Sequence, residues 1–473
     1  FYVCIGFAQG EAQPGYEIRA ELKPFKNCTI YLGTYYSKNK ILADSAVLDE
    51  NSNGVFKGTK KLPGGIYFFI SPSRTLLFEI LLDENQHFSV YADSANMENL
   101  RTEGSPDNEL FASYSRYVTT TVPKINALQQ QFKTEAKNKA DSAAIQQKLK
   151  ATDIEINAFR DKLASDNPNS MVAAFFNAVK TPQLKQWPKN TQGKPDSVAA
   201  WRYMKDHFWD GVNFTDDRLV RTPFFDPKLE DYYKYYVMQD ADSIISEVNY
   251  MLLMSRTAKE MHKYLLGKFT DKYINPEIMG QDKVFIFLFE NYFSKGDTLW
   301  LNAQQKKYIF DRAYSLMANQ VNEQAAQLNL KDTAGKTVSL YNIQAPFTFV
   351  VFWDPTCGHC KTEVPMLDSM YEHKWKSLGV KIFAVNTNDG TYAEWLAFIK
   401  EHKLNGWYHC WQTKEGREAE EKKGVANFRQ LYDVFQTPTM YLLDKDKRIL
   451  AKKLSLEQYD GLIEKSIKQA KTK

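Results

Sequence analysis

The chain has 473 residues, 43% hydrophobic and 25% charged, with 61 Lys and Arg against 57 Asp and Glu for a net charge of +4. That length exceeds one ordinary core and suggests about three domains of roughly 100–200 residues each. Balanced charge without a basic stripe argues against nucleic-acid binding, and no run reaches the roughly 18 consecutive apolar residues of a transmembrane helix.

Residues 1–8, Phe1-Tyr2-Val3-Cys4-Ile5-Gly6-Phe7-Ala8, are apolar and give way abruptly to Gln9-Gly10-Glu11. With small residues at Gly6 and Ala8, the stretch reads as the remnant of a secretory signal peptide. A buried N-terminal strand is the competing reading. The mature protein is therefore expected in the periplasm or cell envelope. Lipid anchoring stays open, although Tyr2-Val3 before Cys4 fits a lipoprotein signal poorly.

Residues 9–103 read as a small β domain. Cys28, Ile30 and Leu32 alternate with Thr29 and Tyr31, the period of a half-buried strand. Further short apolar runs, Ile66–Ile70, Leu76–Ile80 and His87–Tyr91, are separated by Asn53-Gly54, Pro63-Gly64-Gly65 and Asp83-Glu84-Asn85. Strands and turns at this spacing predict an antiparallel β-sandwich-like domain.

Residues 104–325 read as an all-α domain. Ser105 is placed to cap a helix whose first turn holds Pro106, where the missing N–H costs nothing. Val237, Ala241, Ile244, Ile245, Val248 and Leu252 fall on one helical face, and another helix starts near Asp282 with Val284, Phe287 and Leu288. The pairs Tyr232-Tyr233 and Tyr235-Tyr236 read as packing rather than a cofactor box. Either this domain or the β domain could support a homodimer.

Residues 326–473 switch to strands alternating with helices. Leu328 and Leu330, a turn at Ala334-Gly335, then Val338 and Leu340 form an opening hairpin. The continuous apolar run Phe347–Trp353 is a buried strand, and a helix starts at Cys357. The strand Val380–Val385, a helix from Tyr392 to His402, the hairpin Met440–Leu443 with Ile449–Ala451, and a helix from about Leu456 follow. Buried strands alternating with helices imply a sheet covered on both faces.

Of five cysteines, only Cys357 and Cys360 are close in sequence, as Cys357-Gly358-His359-Cys360. They lie where a buried strand meets a helix, whose first four N–H groups lack internal partners and whose dipole is positive there. Such a site typically lowers a thiol pKa from about 8.5 to about 3.5–7.5, favouring a thiolate at Cys357, while Cys360 one turn further in is shielded. Cys357 can then attack a disulfide, and Cys360 can resolve the mixed disulfide. The imidazole of His359 would favour the thiolate further. Zinc is the competing use of the motif, but the neighbouring candidates His409 and Cys410 are adjacent on a strand and point to opposite faces. No metal and no cofactor is expected. Cys28 and Cys410 read as small buried core residues.

Phe352-Trp353, Cys357-Gly358-His359-Cys360, Glu363-Val364-Pro365 and Thr437-Pro438-Thr439 together resemble the TlpA/ResA branch of thioredoxin-like thiol–disulfide oxidoreductases. The resemblance covers about residues 326–473 and implies a thioredoxin fold, so the whole chain is expected to be multidomain α+β. It implies that Pro365 kinks the active-site helix, that Pro438 is a cis proline beside the disulfide, and that Thr437, Pro438 and Trp353 meet the substrate. It also places Glu363 as a proton relay to Cys360; a first-turn carboxylate favoured by the helix dipole is the alternative. Asp354-Pro355-Thr356 before the first cysteine departs from thioredoxin proper. The upstream regions look similar to modules found before such domains in exported bacterial proteins.

The leading expectation is an exported reductase of protein disulfides, with protein thiols and disulfides as clients and an upstream thiol as electron donor. A cell-envelope binding or scaffold protein is one alternative. A thiol peroxidase is the other, although such enzymes usually hold threonine three residues before the reactive cysteine and Thr356 is directly adjacent to Cys357.

Overall fold

The computed structural model describes residues 15–96, 100–135 and 139–472. The expected signal remnant at residues 1–8, with Cys4, lies outside them. The described residues fall into two compact units, those up to Met238 together with Asn249–Leu265, and Gln239–Val248 together with those from Leu266 onward.

In the first unit, strands β1 (Tyr16–Lys23), β2 (Thr29–Tyr36), β3 (Asn39–Val47), β4 (Asn53–Gly58), β5 (Gly65–Ile70), β6 (Leu76–Leu82), β7 (His87–Asp93) and β8 (Arg101–Glu103) build two four-stranded sheets. Their orders are β4-β1-β7-β8 and β3-β2-β5-β6. Period-2 alternation sends Ile18, Ala20 and Leu22 of β1, Ile30 and Leu32 of β2, and Phe88 and Val90 of β7 into one shared core. Pairing is antiparallel as expected, except that β1 runs parallel to β7. A parallel pair needs a long crossover, and the strands β2 to β6 between them supply it. Cys28 corrects a second expectation: it sits just before β2 and is only half-buried.

Helices α1 (Pro106–Glu135), α2 (Lys139–Asp166), α3 (Met171–Val179), α4 (Ser197–Asp206), α5 (Phe225–Tyr235), α6 (Ala241–Met254), α7 (Lys259–Tyr273), α8 (Asp282–Asn291) and α9 (Ala303–Met317) follow. Helix α1 starts directly after Ser105, and Asn108 in its first turn ties it to β6. The Asn108 side chain accepts from the Leu81 N–H at 2.7 Å and donates to the Leu81 carbonyl at 2.8 Å. Tyr232 and Tyr233 are buried packing residues, whereas Tyr235 is exposed.

The second unit contains a seven-stranded sheet ordered β10-β9-β13-β12-β11-β14-β15. Its strands are β9 (Asn329–Asp332), β10 (Thr337–Ser339), β11 (Phe347–Trp353), β12 (Lys381–Asn386), β13 (Tyr408–Trp411), β14 (Thr439–Asp444) and β15 (Ile449–Lys452). The helices are α10 (Gly358–Met370), α11 (Tyr392–Glu401), α12 (Lys414–Lys423), α13 (Phe428–Leu431) and α14 (Leu456–Thr472). Parallel pairing of β11, β12 and β13, with β14 antiparallel to β11 and β15 antiparallel to β14, gives a thioredoxin-like fold.

The unbroken apolar run of β11 has a simple cause: both faces are covered. Phe349, Val351 and Trp353 enter one layer with Cys360, Val364 and Leu367 of α10. Val350 and Phe352 enter the other, with Phe428 and Tyr432. Helix α12 buries none of its side chains.

A buried polar knot joins α8 to β15 inside this unit. The Lys452 ammonium donates to Asp282 Oδ2 at 2.6 Å, to the Asn319 carbonyl at 2.8 Å and to Asn319 Oδ1 at 2.7 Å. Burial lowers the Lys452 pKa against the attraction of Asp282. Removing one partner of such a pair leaves an uncompensated buried charge, which costs about 3–5 kcal/mol. Asp282→Ala is therefore expected to lower the urea midpoint of this unit, followed by tryptophan fluorescence, by that amount of stability. Asp282→Leu combined with Lys452→Met should recover most of it.

Candidate active site

The turn from β11 into α10 is built on Asp354. Its Oδ1 accepts from the Thr356 N–H at 2.8 Å and the Thr356 hydroxyl at 2.7 Å, while its Oδ2 accepts from Asn388 Nδ2 at 2.9 Å. Its own carbonyl accepts from the Cys357 N–H at 3.1 Å. Partial burial pushes the Asp354 carboxyl up, but these donors and the charge of Arg429 outweigh it and hold the group below the usual carboxylate range. Thr356 is thus committed to the turn.

Cys357 occupies the N-cap of α10 with an extended backbone, φ −71° and ψ 129°. It is partly exposed, and its thiol donates to the Thr437 carbonyl at 3.2 Å. Burial raises its pKa, yet hydrogen bonds from Thr437, from the Cys360 N–H and side chain, and from the His359 N–H lower it further than burial raises it. The net direction is down. Cys360, one turn inside the helix, is fully buried. Burial pushes its thiol up to about 12, helped by the neighbouring Cys357, against hydrogen bonds from the Asp354 backbone and from Thr437. Two thiols in one helical turn therefore sit on opposite sides of an ordinary cysteine.

Thr437 is brought directly against Cys357, and its bond to Pro438 is cis. Pro365 lies inside α10. His359 reaches the site through its backbone N–H, while its side chain faces solvent. Glu363 is half-buried, and among the described residues its carboxylate makes no hydrogen bond or ion pair. Trp353 corrects the expectation that it meets substrate. It is completely buried, with its ring packed on Phe398 at 5.1 Å, so it is a wall of the core behind the thiols. His409 and Cys410 do point apart: His409 Nε2 bonds the Leu404 carbonyl at 2.8 Å, and Cys410 lies in the opposite layer.

Sequence reasoning did not find the residues that aim the Thr437 loop. Asp433 is buried in the left-handed region at φ 49° and turns the chain toward Thr437. Its carboxylate accepts from Arg312 Nη1 and from Lys453 Nζ. The pairing with Arg312 spans more than a hundred residues, so no local signal announces it. Asp354 was readable, because Asp followed two residues later by Thr is a turn that closes on its own backbone.

The AhpC/TSA family matches residues 321–452, and two families described as domains of unknown function, DUF4369 and DUF5106, match residues 16–111 and 137–319. Thiol-disulfide oxidoreductase ResA of Bacillus cereus is 27% identical over 149 residues, which is 31% of this chain and 78% of that protein. ResA of Bacillus subtilis is 29% identical over 121 residues, covering 26% of this chain and 60% of that protein. A solved domain of a possible thiol-disulfide isomerase from Cytophaga hutchinsonii is 32% identical, covering 32% of this chain and 97% of that chain, with a TM-score of 0.27.

Limiting iodoacetamide is expected to alkylate Cys357 and spare Cys360 in the reduced protein, as read by peptide mass spectrometry. The alkylation rate should rise with pH to a plateau whose midpoint lies below the value of about 8.5 for a free cysteine. Thr437→Val removes one hydroxyl donor, worth about 1 kcal/mol, and should move that midpoint up by somewhat under one unit.

Proposed function

We propose, for a chain whose C-terminal domain is a thioredoxin-like thiol–disulfide oxidoreductase of the ResA type, that catalysis runs as reduction of protein disulfides by the Cys357–Cys360 dithiol. The Cys357 thiolate attacks one sulfur of a client disulfide. A new S–S bond forms as the client's own breaks, and the departing client sulfur takes a proton from solvent. Cys360 then gives up its proton and attacks the Cys357 sulfur, so that the mixed disulfide breaks and the second client thiol leaves. Two electrons have passed to the client, and the enzyme holds a Cys357–Cys360 disulfide that an upstream thiol donor must reduce.

The observation that carries the direction is the unequal burial of the two sulfurs, Cys360 fully buried and Cys357 partly exposed. In the oxidising direction a client thiolate attacks Cys357 and expels Cys360. A thiolate expelled into an apolar core is a poor leaving group, since leaving ability falls as thiol pKa rises. In the reducing direction the same property makes Cys360 a strong nucleophile once deprotonated.

Glu363 is the proposed acceptor of the Cys360 proton. It lies three residues further along α10, on the same helical face. Thr437 and Pro438 are the proposed contact for the extended client segment, and His359 contributes its N–H. The proposed setting is the periplasm or cell envelope, where protein disulfides persist. Residues 9–103 and 104–325 are assigned to recruitment of clients or of a second copy.

Insulin reduction driven by dithiothreitol tests the proposal. Wild type should accelerate precipitation, and Cys357→Ser should return the rate to the uncatalysed background; equal rates for the two remove the claim. Cys360→Ser should accumulate a mixed disulfide visible on a non-reducing gel. Glu363→Gln should slow resolution of that species by about 100-fold, the usual scale for a positioned proton acceptor.

A further inference from the structure

A cleft of about 380 Å³ is lined in part by the residues that lead directly into Thr437. One wall comes from residues 275–280 and Asp282 with Arg312 and Leu316, and the other from Asp433, Phe435, Gln436 and residues 452–454. We propose that this cleft seats the polypeptide segment flanking the client's disulfide, and so selects which disulfides are reduced; this rests on the reductase reading above.

Continuity with the reacting sulfur is the first reason. Phe435 and Gln436 line the cleft and directly precede Thr437, whose carbonyl lies 3.2 Å from the Cys357 sulfur. Two residues of chain span at most about 7 Å, so the backbone carrying the lining Phe435 and Gln436 side chains lies within that distance of Thr437. A client sulfur seated on Cys357 brings its flanking backbone past Thr437 and into the cleft. A small disulfide ends at the sulfur and leaves the cleft empty.

The lining chemistry matches an extended peptide with an apolar side chain. Phe435 is 73% exposed and Ile278 is 47% exposed, so each wall offers apolar surface to water. Beneath Phe435, at 5.3 Å from its ring centre, lies the Arg312 guanidinium. Arg312 is buried and spends its terminal nitrogens on Asp433, on the Ile274 carbonyl at 3.1 Å and on Asn275 Oδ1 at 2.8 Å. Its Nε has no acceptor among the described residues. A buried donor left unpaired costs about 1–3 kcal/mol, so the arrangement that holds Arg312 beneath Phe435 is kept at a price in stability. Lys452 pairs with Asp282, Arg312 and Lys453 share Asp433, and the lining carboxylate of Glu277 brings the formal charges of the cleft into balance.

The wall formed by residues 275–280, Asp282 and Arg312 lies outside the stretch 321–452 matched by the catalytic family. Client choice is therefore shared between this chain's helical segment and the loop before Thr437, acting on a generic dithiol.

The test compares two substrates on the full chain. Insulin carries flanking polypeptide, whereas 5,5′-dithiobis(2-nitrobenzoate) is a small disulfide that needs only the sulfur. Phe435→Ala and, from the opposite wall, Ile278→Glu should each lower the ratio of kcat/KM for insulin to kcat/KM for the small disulfide about tenfold, mainly through KM. Both positions are exposed, so both variants should fold. An unchanged ratio in both variants overturns the cleft proposal. A wild type that reduces neither substrate overturns instead the reductase reading on which it stands.

Discussion

Two sulfurs one helical turn apart, one at the mouth of a helix and one in its core, set the terms for everything else in the catalytic domain. The separation of their acidities is a matter of position. Cys357 sits where α10 offers backbone N–H groups with no internal partner. Cys360 sits against Trp353 and Val364, where a charge finds no water. The surrounding architecture serves to keep that difference. Strand β11, buried on both faces, fixes the point at which the helix begins. Asp354 clamps the turn, and the Thr437 carbonyl closes over the outer sulfur. Loosen any of these and the two thiols drift toward the same ordinary value.

What could be read from the amino-acid order, and what could not, follows the range of the interactions. The β11 strand, the start of α10 at the cysteine pair and the closing hairpin were legible because each is dictated by neighbours within a few residues. Helix α1 was legible from Ser105 and Pro106 for the same reason. Helix α12 was not, because it buries none of its side chains and so carries no apolar stripe to betray it. The parallel pairing of β1 with β7 was also hidden, since alternation fixes which face a residue takes and says nothing about which strand lies alongside. Trp353 shows a subtler limit. A tryptophan beside a reactive cysteine invites a substrate contact, but period-2 geometry already turned it to the face that α10 covers.

The polar groups that matter most were illegible for a physical reason. Arg312 and Asp433 meet across more than a hundred residues, as do Lys452 and Asp282. Each pair is buried, and a buried pair is weak evidence of net stabilisation because desolvation opposes the Coulomb gain. Its surer effect is to specify one arrangement, since every alternative leaves a bare charge in the core. At Asp433 the specified arrangement is a left-handed turn, a conformation that an aspartate tolerates better than most residues. From that turn the chain runs to Phe435, Gln436 and Thr437. The ion pair therefore bears on catalysis without touching a sulfur, by deciding where the loop against Cys357 begins.

A dithiol at a helix start has little means of choosing among disulfides, because the reacting geometry involves three collinear sulfurs and almost nothing of the client. Selectivity must be found in whatever the client's flanking backbone touches next. In this molecule that surface is shared: Phe435 and Gln436 come from the catalytic fold, and residues 275–280 and Asp282 come from the helical segment before it. The two contributions are locked in register by Arg312, which reaches from α9 to Asp433 and to the Asn275 side chain together. A helical segment joined to the sheet in this way does more than tether the catalytic domain. It completes the ground on which a client must lie before its sulfur can meet Cys357.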